Sequence, residues 1–158
     1  MNVDSNEIIP ARLWVGGYLQ PEDVKLLAKN LISTVVSLQT DEDLASRGIQ
    51  IKKLLKAFQE SGIELRRVPI ADFDKNGLVA NLPLCVSELQ VALQPEWARV
   101  YLHCTAGINR SPTVAAAYLI RSRDMSAKDA YDYVTGRRHC SPYVDVLEQY
   151  AESLKIQS

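Results

Sequence analysis

The sequence predicts an α/β domain in which helices flank a central, mostly parallel sheet. Short apolar stretches rich in β-branched residues, such as 32–38 and 99–103, alternate with longer stretches of helical period. This alternation is typical of parallel strands joined by helices that cover both faces of the sheet. The chain has 158 residues, enough for one such domain and not comfortably for two. Because no repeat or linker interrupts it, we expect a single domain over residues 1–158.

The first half of the chain predicts three strands separated by helical stretches. The predicted strands cover 8–17, 32–38 and 63–68. The predicted helices cover 21–30 and 51–61. Between them, Thr40 to Asp43 has the pattern of a helix cap followed by an acidic first turn. One apolar helical face is formed by Ile51, Leu54, Leu55 and Phe58. We expect the strand over 32–38 to be a central strand, because it is apolar and β-branched.

The second half predicts one more strand and four helices. Pro69 to Gly77 is polar and contains glycine, which indicates a loop. The predicted strand covers 99–103, and the predicted helices cover 82–93, 111–123, 126–135 and 142–154. Ser126 and Gly136 are the expected caps of the third of these helices. Since α/β folds bind ligands at the carboxyl ends of their strands, we expect the segment after residue 103 to lie in the functional site.

The overall composition excludes several classes of protein. With 18 basic and 19 acidic residues the formal net charge is −1. The chain therefore lacks the overall positive charge that would indicate binding to nucleic acid or to a membrane. No apolar run approaches the roughly 18 residues of a membrane span. The polar, acidic start is unlike a signal peptide. We therefore expect a cytoplasmic protein, or an organellar one if a presequence was removed. Three cysteines, Cys85, Cys104 and Cys140, are too few for a disulfide framework and favour a reducing compartment.

The stretch from His103 to Pro112 carries the clearest chemical signal. It reads His-Cys-Thr-Ala-Gly-Ile-Asn-Arg-Ser-Pro, between a predicted buried strand and a predicted helix with Pro112 in its first turn. A strand, a short loop and a helix N-terminus make an anion site, because the N–H groups and the helix dipole converge there. A cysteine opens the loop and an arginine closes it. The combination predicts a Cys104 thiolate that attacks a phosphate held by Arg110.

The helix end alone does not explain a reactive thiolate. Lowering the pKa of a cysteine thiol from 8.5 to about 5.5 needs about 4 kcal/mol, whereas an exposed helix end supplies about 0.3–1 kcal/mol. The remainder is expected from the loop amides, the Ser111 hydroxyl and the Arg110 guanidinium, whose planar fork binds two phosphate oxygens. Gly107 lets the backbone turn its N–H groups inward. The expected phosphate-binding residues are Thr105, Ala106, Gly107, Ile108, Asn109 and Arg110.

The other cysteines and histidines allow several interpretations. Cys85 is expected in the core, and Cys140 is expected to be structural or partly exposed. The pairs His103-Cys104 and His139-Cys140 together offer four N and S ligands, which would suit zinc. Neighbours on a strand point to opposite faces, however, so one ion would not easily bind both His103 and Cys104. His103 is expected to support the loop by hydrogen bonding, with a merely buried histidine as the alternative.

A phosphate ester also needs a general acid for its leaving oxygen. Asp72 and Asp74 both lie in the predicted loop over 69–77, at the same edge of the sheet as Cys104. Asp74 begins Asp-Lys-Asn-Gly, which is typical of a turn. Asp72 follows apolar residues, and partial burial there would favour its protonated form. These observations favour Asp72 over Asp74 without deciding between them.

The motif His103 to Ser111 resembles the signature loop of dual-specificity-type, cysteine-dependent phosphatases, and the similarity extends over nearly the whole chain. The resemblance implies a dual-specificity phosphatase-like catalytic domain. In that family the general acid lies about 32 residues before the nucleophile, which points to Asp72. The implied enzyme removes phosphate from tyrosine, serine or threonine through a cysteinyl phosphate. In the implied mechanism Cys104 is the nucleophile, and Arg110 binds the phosphate. Asp72 acts first as the general acid and then as the general base. Ser111 helps the Cys104 thiolate to leave in the second step. No metal or cofactor is implied.

A narrower resemblance concerns the plant glucan (starch) phosphatases. It is carried by Ser37 to Leu44, Asp72-Phe73-Asp74, Cys104 to Gly107 and Arg137 to Pro142. Those enzymes usually have Gly before the loop arginine, where this chain has Asn109. Phe73, beside the expected acid, is the candidate substrate contact. The expected partner is therefore a phosphoprotein or another phosphoester, including phosphoglucan. A phosphate-binding module without catalysis is the remaining alternative.

Overall fold

A computed structural model describes residues 1–157 as a mixed five-stranded sheet between two layers of helices, which confirms the predicted fold class. The strands are β1 (Ser5–Ile9), β2 (Leu13–Gly16), β3 (Thr34–Ser37), β4 (Glu64–Arg67) and β5 (Val100–His103). The helices are α1 (Val24–Lys29, after a 3-10 turn at Pro21–Asp23), α2 (Asp41–Ser46), α3 (Ile51–Ser61), α4 (Lys75–Leu93), α5 (Arg110–Arg123), α6 (Ala127–Thr135) and α7 (Val144–Gln157). The proposed domain extends to Ser158, which lies outside the described residues.

The sheet has the order β1-β2-β5-β3-β4, and all neighbours are parallel except the edge pair β1–β2. β5 therefore lies at the centre, between β2 and β3. Its last residue, His103, lies level with Gly16 of β2 and with Ser37 of β3. Three parallel strands thus end side by side, and the loop after β5 begins between the ends of its two neighbours.

Each central strand is apolar on both faces because helices cover both. On β5, Val100 and Leu102 belong to the cluster packed against α4–α7, whereas Tyr101 belongs to the cluster packed against α1–α3. On β3, Val36 and Val35 divide in the same way. Side chains alternate along a strand, so two cores require apolar residues at successive positions in the middle of the strand.

The prediction of one first strand over 8–17 is wrong, because this segment folds back on itself. β1 and β2 form an antiparallel hairpin, closed by a bond from the N–H of Arg12 to the carbonyl of Ile9. Ala11 in the turn has φ of 62°, a conformation for which glycine and asparagine are the usual signals. The absence of those signals explains why the turn was not predicted.

The predicted loop over 69–77 is also too long. α4 begins at Lys75 rather than near Leu82, and Asp74 is its N-cap, with Oδ1 accepting from the N–H of Gly77 at 2.9 Å. Asn76, Gly77 and Pro83 disfavour a helix locally. Burial of Leu78 and Leu82 in the core stabilises the helical turns that contain them. The loop before α4 therefore shortens to residues 68–74.

Candidate active site

Cys104 follows β5 directly and lies beneath the first turn of α5. Its residue is only 2% exposed, and its Sγ lies 3.2 Å from the Oγ of Ser111. A hydroxyl at this distance can donate a hydrogen bond to a thiolate, which stabilises the charged form of the sulfur. The structure thus brings together Cys104 and Ser111, two of the residues predicted to do chemistry.

His103 supports the loop from the buried side. Burial lowers the pKa of His103 from its ordinary value to about 4, so the ring is neutral near pH 7. Its Nδ1 lies 2.9 Å from the carbonyl oxygen of Cys104. Because a carbonyl only accepts, the proton of the bonded ring lies on Nδ1. The supporting role of His103 stays a prediction, and this contact is the structural observation on which it depends.

The backbone of the phosphate loop, residues 104–110, is held by its carbonyl oxygens. Each carbonyl from Thr105 to Asn109 accepts a hydrogen bond from outside the loop or from the helix that follows it. The donors, in chain order of the acceptors, are the Tyr18 N–H at 2.9 Å, Arg138 Nη2 at 3.2 Å, Arg138 Nε at 2.8 Å, the Ser141 N–H at 2.8 Å and the Thr113 N–H at 3.1 Å. The loop is therefore fixed at five consecutive residues.

Fixing the carbonyls also orients the amides. In a trans peptide the C=O and the following N–H point in opposite directions, and no peptide bond within residues 1–157 is cis. The N–H groups of residues 106–110 are therefore turned away from those donors, and among residues 1–157 none of them has a protein acceptor. Gly107 has φ of 69°, which glycine adopts without strain. The result is a ring of free amides at the start of α5, which can bind an anion.

Arg110 is only 2% exposed and is held along one edge of its guanidinium. Its Nη1 donates to Asp43 Oδ2 at 2.7 Å and to the Ile70 carbonyl at 2.8 Å. Its Nη2 reaches Thr105 Oγ1 at 3.3 Å. Its Nε has no hydrogen-bond partner within residues 1–157, although Asp72 Oδ1 lies 3.4 Å away. The edge formed by Nε and Nη2 remains for two oxygens of a bound anion.

Asp43 is a site residue that the sequence analysis did not single out. It stands at the third position of α2, where its carboxylate also accepts from the Thr40 N–H at 2.9 Å in a capping box. Burial alone would raise the pKa of Asp43, but the hydrogen bonds from Arg110 and Thr40 outweigh it and hold that pKa below its ordinary value. The pattern from Thr40 to Asp43 indicates a helix cap, and only the tertiary structure shows the second contact.

The two candidate acids occupy different positions. Asp72 lies beside Arg110, with a side chain that is 35% exposed, and its Oδ1 accepts from the Phe73 N–H at 3.1 Å. Asp74 caps α4 instead. Phe73 itself is 79% exposed and has φ of 62°, which is strained for a bulky residue. The geometry thus separates a carboxylate at the phosphate site from one that serves a helix.

The remaining cysteines and histidine do not join this site. Cys85 is buried in α4, and burial raises the pKa of its thiol to about 12. Cys140 is half-buried, and burial raises the pKa of its thiol. His139 is exposed whereas His103 is buried. Among residues 1–157 no three His, Cys, Asp or Glu side chains are grouped as metal ligands, so the zinc alternative has no support.

Comparison with known proteins agrees with this geometry. Residues 13–152 match the family model described as the dual specificity phosphatase, catalytic domain. Over 98% of its length the chain is 32% identical to the amyloplastic phosphoglucan phosphatase DSP4 of Castanea sativa, and it spans 41% of that protein. Over 90% of its length it is 31% identical to the dual specificity protein phosphatase Mpk3 of Drosophila melanogaster, and it spans 32% of that protein.

A solved structure shares the fold. PTPMT1 in complex with PI(5)P superposes with a TM-score of 0.79, at 24% identity, over 98% of this chain and 99% of that one. In residues 1–157 no helix combines the length and apolar character needed to cross a membrane. The chain spans less than half the length of the two curated relatives.

Proposed function

Because the chain belongs to the family of dual specificity phosphatase catalytic domains, we propose that it hydrolyses phosphomonoesters of proteins through a cysteinyl phosphate. One observation carries this proposal: the buried Cys104 lies at a ring of free amides that Arg110 closes, with Ser111 Oγ 3.2 Å from its sulfur. A thiolate, amides that bind oxygen and a forked cation are what phosphoryl transfer to sulfur requires. We propose that residues 1–158 form the catalytic domain.

In the first step the Cys104 thiolate attacks phosphorus, and the bond from phosphorus to the leaving oxygen breaks. The phosphate oxygens bind the loop amides and the free edge of Arg110. Asp72 lies beside Arg110, with its Oδ1 3.4 Å from Nε, and is therefore close to the bound phosphoryl group. Asp72 then gives its proton to the leaving oxygen.

In the second step Asp72, now a carboxylate, takes a proton from water, and the water oxygen attacks phosphorus. The bond between sulfur and phosphorus breaks, and inorganic phosphate leaves. The Ser111 hydroxyl donates a hydrogen bond to the departing Cys104 thiolate and keeps its proton, which makes the thiolate a better leaving group. His103 holds the carbonyl of Cys104 throughout and exchanges no proton near pH 7.

The test is hydrolysis of an aryl phosphate by wild type and Cys104→Ser. We expect turnover by the wild type and none above background by the variant. Circular dichroism should show that both proteins are folded. Cys140→Ser is the matched control, because that thiol is outside the site, and it should keep wild-type turnover. Equal turnover by wild type and Cys104→Ser would refute the mechanism. Binding of a phosphopeptide without turnover by wild type would instead support a phosphate-binding module.

The chain is 32% identical to a phosphoglucan phosphatase over 98% of its length. This similarity favours phosphoglucan as a second candidate substrate. Phe73 is the structural feature that fits it, since this exposed aromatic ring beside Asp72 offers a face on which a sugar can stack. Phosphate release from phosphorylated starch and from phosphopeptides separates the two. If phosphoglucan is the substrate, Phe73→Ala should slow release from starch several-fold and leave a small aryl phosphate unaffected.

The proposed partners are thus phosphorylated proteins or a phosphoglucan, and nucleic acid and membrane are not among them. The cytoplasmic location, or an organellar one after removal of a presequence, stays a prediction. Imaging a fluorescent fusion of the full-length protein in its native cells tests it.

A further inference from the structure

Arg138, three residues after the end of α6, is a buried cation next to the phosphate loop. Its side chain is only 4% exposed. Its guanidinium has five N–H donors, and each is matched to an oxygen. Nε donates to Gly107, Nη1 donates to Asp4 and Asn6, and Nη2 donates to Ala106 and Asp4, at 2.8–3.2 Å. No donor is left for a substrate.

The two carbonyls that Arg138 binds control two of the free amides. In a trans peptide, fixing the carbonyls of Ala106 and Gly107 also fixes the direction of the next N–H groups, those of Gly107 and Ile108. These are consecutive members of the ring of amides proposed to hold the phosphate. Without Arg138 the two carbonyls would be free to turn, and the N–H groups would turn with them.

Close packing against Arg138 leaves no room for a side chain at Gly107. A Cβ at Gly107 would lie 2.5 Å from Arg138 Nη2 and 2.6 Å from the Gly16 carbonyl. On its far side the guanidinium is held by Asp4 and Asn6 of the N-terminal segment. Arg138 therefore joins that segment to the loop, across more than a hundred residues of sequence.

We propose that Arg138 is a positioning residue that holds the amides of Gly107 and Ile108 toward the phosphate, a role that rests on the proposed function. It acts through the loop backbone and contacts neither phosphate nor sulfur. Arg138→Lys is the sharpest variant, because lysine keeps the positive charge but offers a point charge in place of the fork. The matched control is Arg137→Lys, at an exposed arginine that stacks 3.5 Å from the Tyr133 ring centroid and bonds the Tyr133 carbonyl.

Three measurements test the proposal. For Arg138→Lys we expect kcat/KM on an aryl phosphate to fall about tenfold, since two carbonyls lose donors. Competitive inhibition by inorganic phosphate should weaken by a similar factor. The pH midpoint for alkylation of Cys104 by iodoacetamide should rise, because fewer amides face the sulfur. Arg137→Lys should match wild type in all three measurements.

The outcomes separate this inference from the function it rests on. A wild type that neither hydrolyses aryl phosphate nor binds inorganic phosphate would refute the function. An active wild type together with a folded Arg138→Lys protein of unchanged phosphate inhibition and alkylation midpoint would overturn the role of Arg138. If Arg138→Lys does not fold, Asp4→Ala removes one of its anchors, and it should move the same two quantities in the same direction by a smaller factor. No movement in a folded Asp4→Ala protein would then overturn the inference.

Discussion

Two loops meet at the carboxyl edge of the sheet, and they differ in how firmly they are held. The phosphate loop, residues 104–110, has a hydrogen-bonded carbonyl at each of five consecutive residues, and its cysteine and arginine are buried. The acid loop, residues 68–74, exposes Asp72, Phe73 and Asp74. Arg110, the last residue of the phosphate loop, contacts the acid loop at the Ile70 carbonyl and lies beside Asp72.

The difference matches the parts of the substrate that each loop is proposed to meet. Every phosphomonoester has the same phosphoryl group, so its loop can be rigid and preorganised, which costs no rearrangement during reaction. Leaving groups differ between substrates, and the exposed acid loop faces them. Substitutions in the first loop should therefore affect all substrates alike, whereas those in the second should depend on the leaving group.

Arg110→Lys tests the rigid loop and should have the largest effect of the four predictions. Lysine cannot present two parallel N–H groups to the phosphate or reach the partners of Nη1 together. We expect kcat/KM to fall about a thousandfold, by the same factor for aryl and alkyl phosphates. Steady-state kinetics on a matched substrate pair measures this, and a loss that depends strongly on the leaving group would contradict the comparison.

Asp72→Asn tests the acid loop. We expect about a hundredfold loss of kcat for an alkyl phosphate, and a much smaller loss for p-nitrophenyl phosphate, whose leaving group needs no proton. The basic limb of the pH profile should also flatten. The control is Asp74→Asn, which should keep the cap of α4, because asparagine caps a helix about as well as aspartate, and should keep turnover. If the basic limb of the pH profile flattens for Asp74→Asn and not for Asp72→Asn, the assignment of the general acid is wrong.

Asp43→Asn tests the link between α2 and the rigid loop. Loss of the carboxylate leaves Arg110 Nη1 with a weaker acceptor, so we expect kcat/KM to fall about tenfold for every substrate. Asp41→Asn is the matched control, because Asp41 stands in the same turn but is exposed and pairs with Arg67. Equal kinetics for the two variants would show that Asp43 only caps the helix.

His103→Gln should change the pH dependence of stability rather than chemistry. The pKa of His103 is about 4 in the folded protein and near 6.5 when unfolded. As pH falls from 6.5 toward 4 the unfolded chain takes up the proton first, so stability falls. By pH 4 this loss reaches about 3 kcal/mol. Urea unfolding at pH 7 and pH 4 should therefore show a loss about 3 kcal/mol larger for wild type than for the variant. Equal losses would mean that His103 is protonated in the fold.

Local patterns predicted much of the fold and part of the site. The strand and helix around Cys104 were predicted because apolar residues and Pro112 act over a few neighbouring residues. Caps at Thr40 and Ser126 followed from side chains that bond their own helix. The hairpin turn at Ala11 and the early start of α4 were missed, because tertiary packing stabilises conformations there that local preference disfavours.

The sequence by itself determined the candidate residues for the proposed chemistry: a cysteine, an arginine, a serine and an aspartate, in the order and spacing that the resemblance to dual-specificity phosphatases implies. It did not determine what orients them. Only the tertiary structure brought Asp43 to Arg110 and Arg138 to the carbonyls of Ala106 and Gly107. The reason is physical, because these bonds join residues 31 to 67 positions apart, and no local pattern records a partner that only folding brings near.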